Sequence, residues 1–178
     1  MAFFEQIRIS KTASGYQLSA DQLNFACVIG RSGMVSAQQK AEGDGATPIG
    51  DWPVRCLYYR PDRIAEDQIR ELSQLPCRPI TPQMGWVDDP ESALYNRPVM
   101  LPCADRHEQL WREDGLYDLI LPLGYNDGPT RPGAGSAIFL HCAEPHTTAT
   151  EGCVALARAD LLSLLPGLAP TTRLILYP

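Results

Sequence analysis

The chain has 178 residues, 44% of them hydrophobic, which suffices for one domain with a substantial core and is short for two, so residues 1–178 are read as a single domain. With 15 basic against 21 acidic residues the formal charge is −6, and no basic cluster is interleaved with aromatics, so neither nucleic acid nor an anionic membrane is an expected partner. The opening MAFFEQIRISK puts Glu5, Gln6 and Arg8 where a secretory leader needs unbroken apolar residues, and no run approaches the ~20 apolar residues of a spanning helix; the expected location is the cytoplasm, or the periplasm if a leader has been removed.

Taken in order, residues 5–10 and 15–19 read as a hairpin, with Ile7 and Ile9 alternating against Arg8 and a turn at 13–15. Residues 25–29 are a denser apolar run, expected as a more central strand. The polar, glycine-rich stretch 30–50 holds neither a GxxxxGK[ST] nor a GxGxxG pattern opening a helix, so it predicts a long structured loop rather than a nucleotide site. A Thr-Pro turn at its end should feed a strand over 51–59. Residues 60–75 predict a short helix or two, with Pro61 in the first turn. Six prolines in 76–102, among them Trp86, Asp88, Asp89, Tyr95, Asn96 and Arg97, predict an irregular surface excursion. It is either one wall of a cleft or a packing flap anchored by Trp86. Residues 106–112 suggest a short helix with His107 solvated, and 117–125 an apolar strand closed by the turn Asn126, Asp127, Gly128, Pro129. Residues 136–140 read as a buried strand, 154–156 as a short one, 157–165 as a helix stopped by Pro166 and Gly167, and 172–177 as a last strand. About seven strands and two or three short helices make a mostly-β architecture. The six cysteines are scattered through apolar and loop contexts, and free thiols in a reducing compartment are expected.

The chemistry concentrates in GSAIFLHCAEPHTTATEGC, residues 135–153. The strand over 136–140 should deliver His141 at its exit, and the loop over 144–150 should fold back to bring Cys153 to the imidazole. Gly152 allows a tight turn that aims backbone N–H groups beside the sulfur, the construction of an oxyanion hole. A flanking glycine and a nearby histidine are what a thiol needs to become a thiolate near neutral pH. Cys142 points to the opposite strand face and reads as core, with its carbonyl available to hold the second nitrogen of His141. A zinc site built from His141, Cys142, His146 and Cys153 is the rival reading; it suffers because adjacent strand positions diverge and the remaining spacings do not match zinc hairpins. His146 reads as a residue of the cleft rim.

These residues resemble the L,D-transpeptidase catalytic domain, or YkuD domain, whose core is a strand ending in His followed, after a variable loop, by Ser/Thr-His-Gly-Cys. Here the segments are His141 and Thr150, Glu151, Gly152, Cys153, and EGDGATPIG with Trp52 is similar to the family's Thr-Pro-x-Gly turn through Thr47, Pro48 and Gly50. Two positions depart: Glu151 stands for the second His, and Ala155 for an Arg two residues after the Cys. The resemblance implies a β-sandwich-type fold with a few short helices, and acyl transfer on peptidoglycan stem peptides without metal or organic cofactor. Cys153 would attack at the L-centre and expel the terminal D-alanine. Water as acceptor gives an L,D-carboxypeptidase of cell-wall recycling, an amine an L,D-transpeptidase; a non-catalytic muropeptide-binding module is the third reading, motivated by the two departures. Thr150 and Glu151 beside the thiol, Trp86, and the loop residues Arg31, Arg97 and Arg131 are the substrate-binding candidates, the arginines for carboxylates.

Overall fold

A computed structural model describes residues 3–178. The chain runs β1 (Gln6–Thr12), β2 (Gly15–Ala20), β3 (Leu23–Val28), β4 (Met34–Ser36), β5 (Thr47–Pro53), β6 (Leu57–Tyr59), α1 (Glu66–Leu72), β7 (Cys77–Pro79), β8 (Met84–Val87), β9 (Pro98–Met100), β10 (His107–Gln109), β11 (Leu119–Pro122), β12 (Phe139–Ala143), β13 (Val154–Ala157), α2 (Arg158–Leu164) and β14 (Arg173–Leu176). Eleven strands form one sheet in the order β4-β5-β14-β1-β2-β3-β13-β12-β11-β6-β7, and β10-β8-β9 form a second. The fold is mostly β, as expected. None of the described helices is long and apolar enough to cross a membrane.

Alternation explains β1, where Ile7 and Ile9 are buried between exposed Gln6, Arg8 and Ser10. At the centre of the large sheet the pattern changes. Leu119 and Leu121 of β11 and Leu140 and Cys142 of β12 enter the main core, which also takes Leu161 and Leu164 of α2. Their neighbours Ile120 and Phe139 face the other way, into a second cluster with Tyr58, Ile80, Trp86, Leu110 and Tyr117. Strands covered on both faces read as continuous apolar runs, which is what 117–125 and 136–140 display. The small sheet is the cover on the second face, and its Trp86 packs edge-on to Phe139 at 5.0 Å between centroids.

Several expectations are corrected. The strands are twice as many as expected, because three- and four-residue strands leave too few positions for a period to show. Residues 76–102 are not irregular: they carry β7, β8 and β9, with prolines at strand ends or edges (Pro79, Pro98), where a missing N–H does no harm. Residues 106–112 contain strand β10 instead of a helix, since pairing with β8 overrides local propensity. Pro61 lies in the turn ahead of α1 rather than in its first turn, and Thr47 and Pro48 open β5 itself rather than a preceding turn. Strand β12 starts at Phe139, not Ser136, after Ala137 at φ +50°, so His141 sits in mid-strand rather than at the exit.

Candidate active site

His141 follows from the pleat. It shares a face with Phe139, 5% exposed, with the Tyr117 ring edge-on at 5.4 Å between centroids. Cys142 takes the opposite face and lies in the main core. The Cys142 carbonyl accepts from His141 Nδ1 at 2.7 Å, as expected. A carbonyl can only accept, so the proton is on Nδ1 and Nε2 keeps the lone pair. Burial, partly offset by the Cys142 and Leu116 carbonyls, lowers the imidazole pKa to about 4.

Cys153 is held by polar contacts from distant segments. Its carbonyl accepts from Thr150 Oγ1 at 2.7 Å and Thr47 Oγ1 at 3.4 Å, and Thr47 Oγ1 in turn accepts the Gly30 N–H at 2.8 Å. The Thr-Pro motif is thereby tied to Cys153. Its glycine is needed too: a Cβ on Gly50, at φ +154°, would lie 2.3 Å from the Trp52 ring. Gly152 has φ +136°, and a Cβ there would lie 2.9 Å from the Ala46 carbonyl oxygen, so only glycine fits before the thiol.

The thiol donates to the Ala137 carbonyl at 3.1 Å and accepts the Phe139 N–H at 3.3 Å; no hydrogen bond joins Sγ to the imidazole among the described residues. Burial pushes the thiol pKa up to about 12. A thiolate near neutral pH was the expectation; both partners are instead neutral at rest, because each is desolvated and neither is charged by the other.

Both groups open into a cleft of about 890 Å³, lined also by Thr150, Glu151, Lys40, Glu108, Arg112 and Tyr117. Of the two N–H groups expected as donors beside the sulfur, that of Gly152 is given to Thr150 Oγ1 at 3.1 Å, and that of Cys153 has no protein acceptor among the described residues.

Of the substrate-binding candidates, Thr150 and Glu151 line the cleft. Arg31 does not line it but pairs with Glu151 at 2.8 Å, 49% and 76% exposed, at the rim. Arg97 donates to the Asp127 carbonyl at 2.8 Å and lines a separate, smaller cavity, and Arg131 donates to the Ala37 carbonyl at 3.3 Å away from the cleft. Trp86 is 8% exposed and does not line the cleft. It anchors the small sheet: its Nε1 donates to Asn96 Oδ1 at 2.9 Å, and the same oxygen takes the Ala137 N–H at 3.0 Å. Trp86 and Asn96 thus fix the residue whose carbonyl holds the thiol. The excursion over 76–102 nevertheless supplies part of the cleft wall through Asp88 and Pro90. His146 is exposed and does not line the cleft. His107 is half-buried, with Nδ1 2.7 Å from the Asp105 carbonyl oxygen, not solvated.

The cations that do line the cleft, Lys40, Arg106 and Arg112, were not singled out from the sequence. Only the i,i+4 spacings of Lys40 with Asp44 and Glu108 with Arg112 hinted at paired charges. Among the described residues no group of three or more His, Cys, Asp or Glu side chains is placed to hold a metal, and His141 and Cys142 diverge as the strand requires.

A thiol, a neutral imidazole with a free Nε2 and an unspent N–H beside the sulfur form a constellation suited to acyl transfer. The family model for the L,D-transpeptidase catalytic domain (YkuD) matches residues 6–176, and the chain belongs to that family. Among solved structures it is similar to an L,D-transpeptidase from Mycobacterium smegmatis, at 12% identity and TM-score 0.41, over 97% of this chain and 58% of that one. It is also similar to L,D-transpeptidase 3 from Mycobacterium tuberculosis in complex with a faropenem-derived adduct, at 14% identity and TM-score 0.42, over 97% of this chain and 60% of that one. The chain therefore spans less than two thirds of the length of either structure. A search of curated proteins gave no match.

Proposed function

We propose that the domain is a cysteine-dependent acyl-transfer enzyme that cleaves the bond between the L-centre of the third residue of a peptidoglycan stem tetrapeptide and its terminal D-alanine. The observation that carries it is the convergence of Cys153 Sγ and His141 on one cleft, with the Cys142 carbonyl fixing the proton on Nδ1. Sγ leaves the Ala137 carbonyl and attacks the peptide carbonyl as its proton passes to Nε2. The oxyanion takes the Cys153 N–H, a donor of a kind worth ~3 to 4 kcal/mol when well placed. Collapse of the tetrahedral species breaks the C–N bond, the leaving amine takes the proton from Nε2, and a thioester remains. Water then attacks it, giving its proton to Nε2, and the thiol is restored by return of that proton.

Water is favoured as acceptor by the charge arrangement. Lys40 is paired with Asp44, Arg106 with Asp88 and Arg112 with Asp114. A second carboxylate-bearing peptide would have to displace a carboxylate from one of these pairs, as the donor does at Arg31, whereas water needs no cation. The donor's terminal carboxylate can displace Glu151 from Arg31, the exposed pair, because such pairs exchange with solvent at little cost. The product is then a tripeptide, the reaction of an L,D-carboxypeptidase in cell-wall recycling. The family match favours a second reading, an L,D-transpeptidase that forms cross-links or exchanges D-amino acids. Mass spectrometry on a free tetrapeptide decides: tripeptide and D-alanine in equal amounts are expected, with a transient acyl group on Cys153. Cross-linked dimers, or exchange with an added D-amino acid as the main product, would establish the transpeptidase instead.

A further inference from the structure

A second cavity, of about 180 Å³, shares a wall with the catalytic cleft. Ile138 lines both, and the next residue, Phe139, lines the smaller cavity while its N–H is given to Cys153 Sγ at 3.3 Å. Part of the lining is aromatic: Tyr58 and Phe139 meet the Trp86 ring edge-on, at 6.5 and 5.0 Å between centroids. The charged lining is three arginines against one carboxylate. Arg55 takes that carboxylate, Asp127, through two hydrogen bonds of 2.8 and 3.1 Å. Arg78 and Arg97 are exposed and pair with no carboxylate among the described residues. Arg97 donates to the Asp127 backbone carbonyl at 2.8 Å, and the Arg78 guanidinium lies 5.9 Å from the centre of the Tyr58 ring. Two guanidinium groups without a carboxylate, beside a small aromatic hollow, form a receptor for an organic anion. Their forked donors match a carboxylate, and the rings accept an apolar body. The volume is below the ~300 Å³ at which pockets for drug-sized ligands begin, so the ligand is small.

We propose that this cavity binds a small carboxylate with a flat apolar body, held by Arg78 and Arg97, and that filling it slows reaction of Cys153. The route is short. Trp86 Nε1 donates to Asn96 Oδ1, the same oxygen takes the Ala137 N–H, and the Ala137 carbonyl takes the thiol proton. Trp86 and Asn96 both line the cavity, so a ligand resting on the indole restrains the residues that keep the thiol on Ala137. The site stands independently of the acyl-transfer function.

Titration calorimetry with benzoate, and with neutral benzamide of the same shape, reads the site. Benzoate should bind once per chain, and benzamide about tenfold more weakly or worse, the difference that a charge-assisted hydrogen bond makes. Arg78→Gln and Arg97→Gln should each weaken benzoate by about tenfold, at exposed positions outside the core. Iodoacetamide alkylation of Cys153, followed by mass spectrometry, should slow by about twofold or more when benzoate saturates the wild type. It should not respond to benzoate in the double variant, which separates this cavity from binding in the catalytic cleft. Absence of saturable benzoate binding, benzamide binding as tightly as benzoate, or unchanged benzoate affinity in the double variant each overturns the site. Saturation with an unchanged alkylation rate overturns the coupling to Cys153.

Discussion

The two halves of the site are held by different physics. His141 is placed by a strand: its direction follows from the pleat of β12, its tautomer from the carbonyl of the next residue, and the Tyr117 ring packs edge-on against it. Cys153 is placed by side-chain hydrogen bonds reaching across the sequence from Thr47 and Thr150, and by a glycine that admits a close approach to Ala46. The base should therefore resist everything short of disrupting the core, and the nucleophile should respond to the loss of single hydroxyls.

The largest expected effect removes either reacting group. Cys153→Ala and His141→Ala should each lower turnover by roughly a thousandfold or more, because base and nucleophile act as a unit; circular dichroism should show Cys153→Ala folded. Turnover of Cys153→Ala within tenfold of wild type would refute the mechanism.

Next comes the acid limb of stability. The folded pKa of His141 is about 4 against an ordinary 6.5, so the unfolded chain binds a proton over that interval that the folded chain refuses. This contribution is fully present above pH 6.5 and is lost as pH falls toward 4, by on the order of 3 kcal/mol. Urea denaturation of wild type and His141→Gln across that range checks it; the variant should show a flatter limb.

Gly152→Ala should cost about 1–3 kcal/mol in stability, from the left-handed backbone and the encounter with Ala46, and should reduce activity with it. Thermal melting and turnover measured together test both.

The smallest effects sharpen the contrast between the halves. Thr47→Val and Thr150→Val should each lower kcat by about tenfold, the loss of roughly one hydrogen bond at the nucleophile. Cys142→Ala should stay active, since its role beside His141 belongs to the backbone. If the threonine variants kept full kcat, the tether on Cys153 would be structural only.

The same division governed what the sequence made legible. His141, Cys142, Gly152 and the hairpin of β1 and β2 were readable because pleat alternation and glycine conformation are local rules. The small sheet was not, because its strands exist by pairing with one another under a proline count that argues for loop. The arginines failed for a similar reason. Arg31, Arg97 and Arg131 sit in loops, as does Arg106, and only the tertiary path decides which of them border the cleft. The Trp86 indole could be expected as an anchor or as a wall, but its bond to Asn96, and through that to Ala137, requires three segments to meet.

The burial of the Cys153 thiol, whose proton is given to the Ala137 carbonyl, has a consequence for its redox chemistry. Burial pushes the thiol pKa up to about 12, so the sulfur holds its proton at neutral pH. Peroxide and adventitious electrophiles attack thiolates, so the resting domain is a poor target for sulfenic-acid formation despite an open cleft. On the proposed mechanism the sulfur is activated when an acyl donor brings it to His141 Nε2, so a resting thiol is less open to oxidation than a resting thiolate would be.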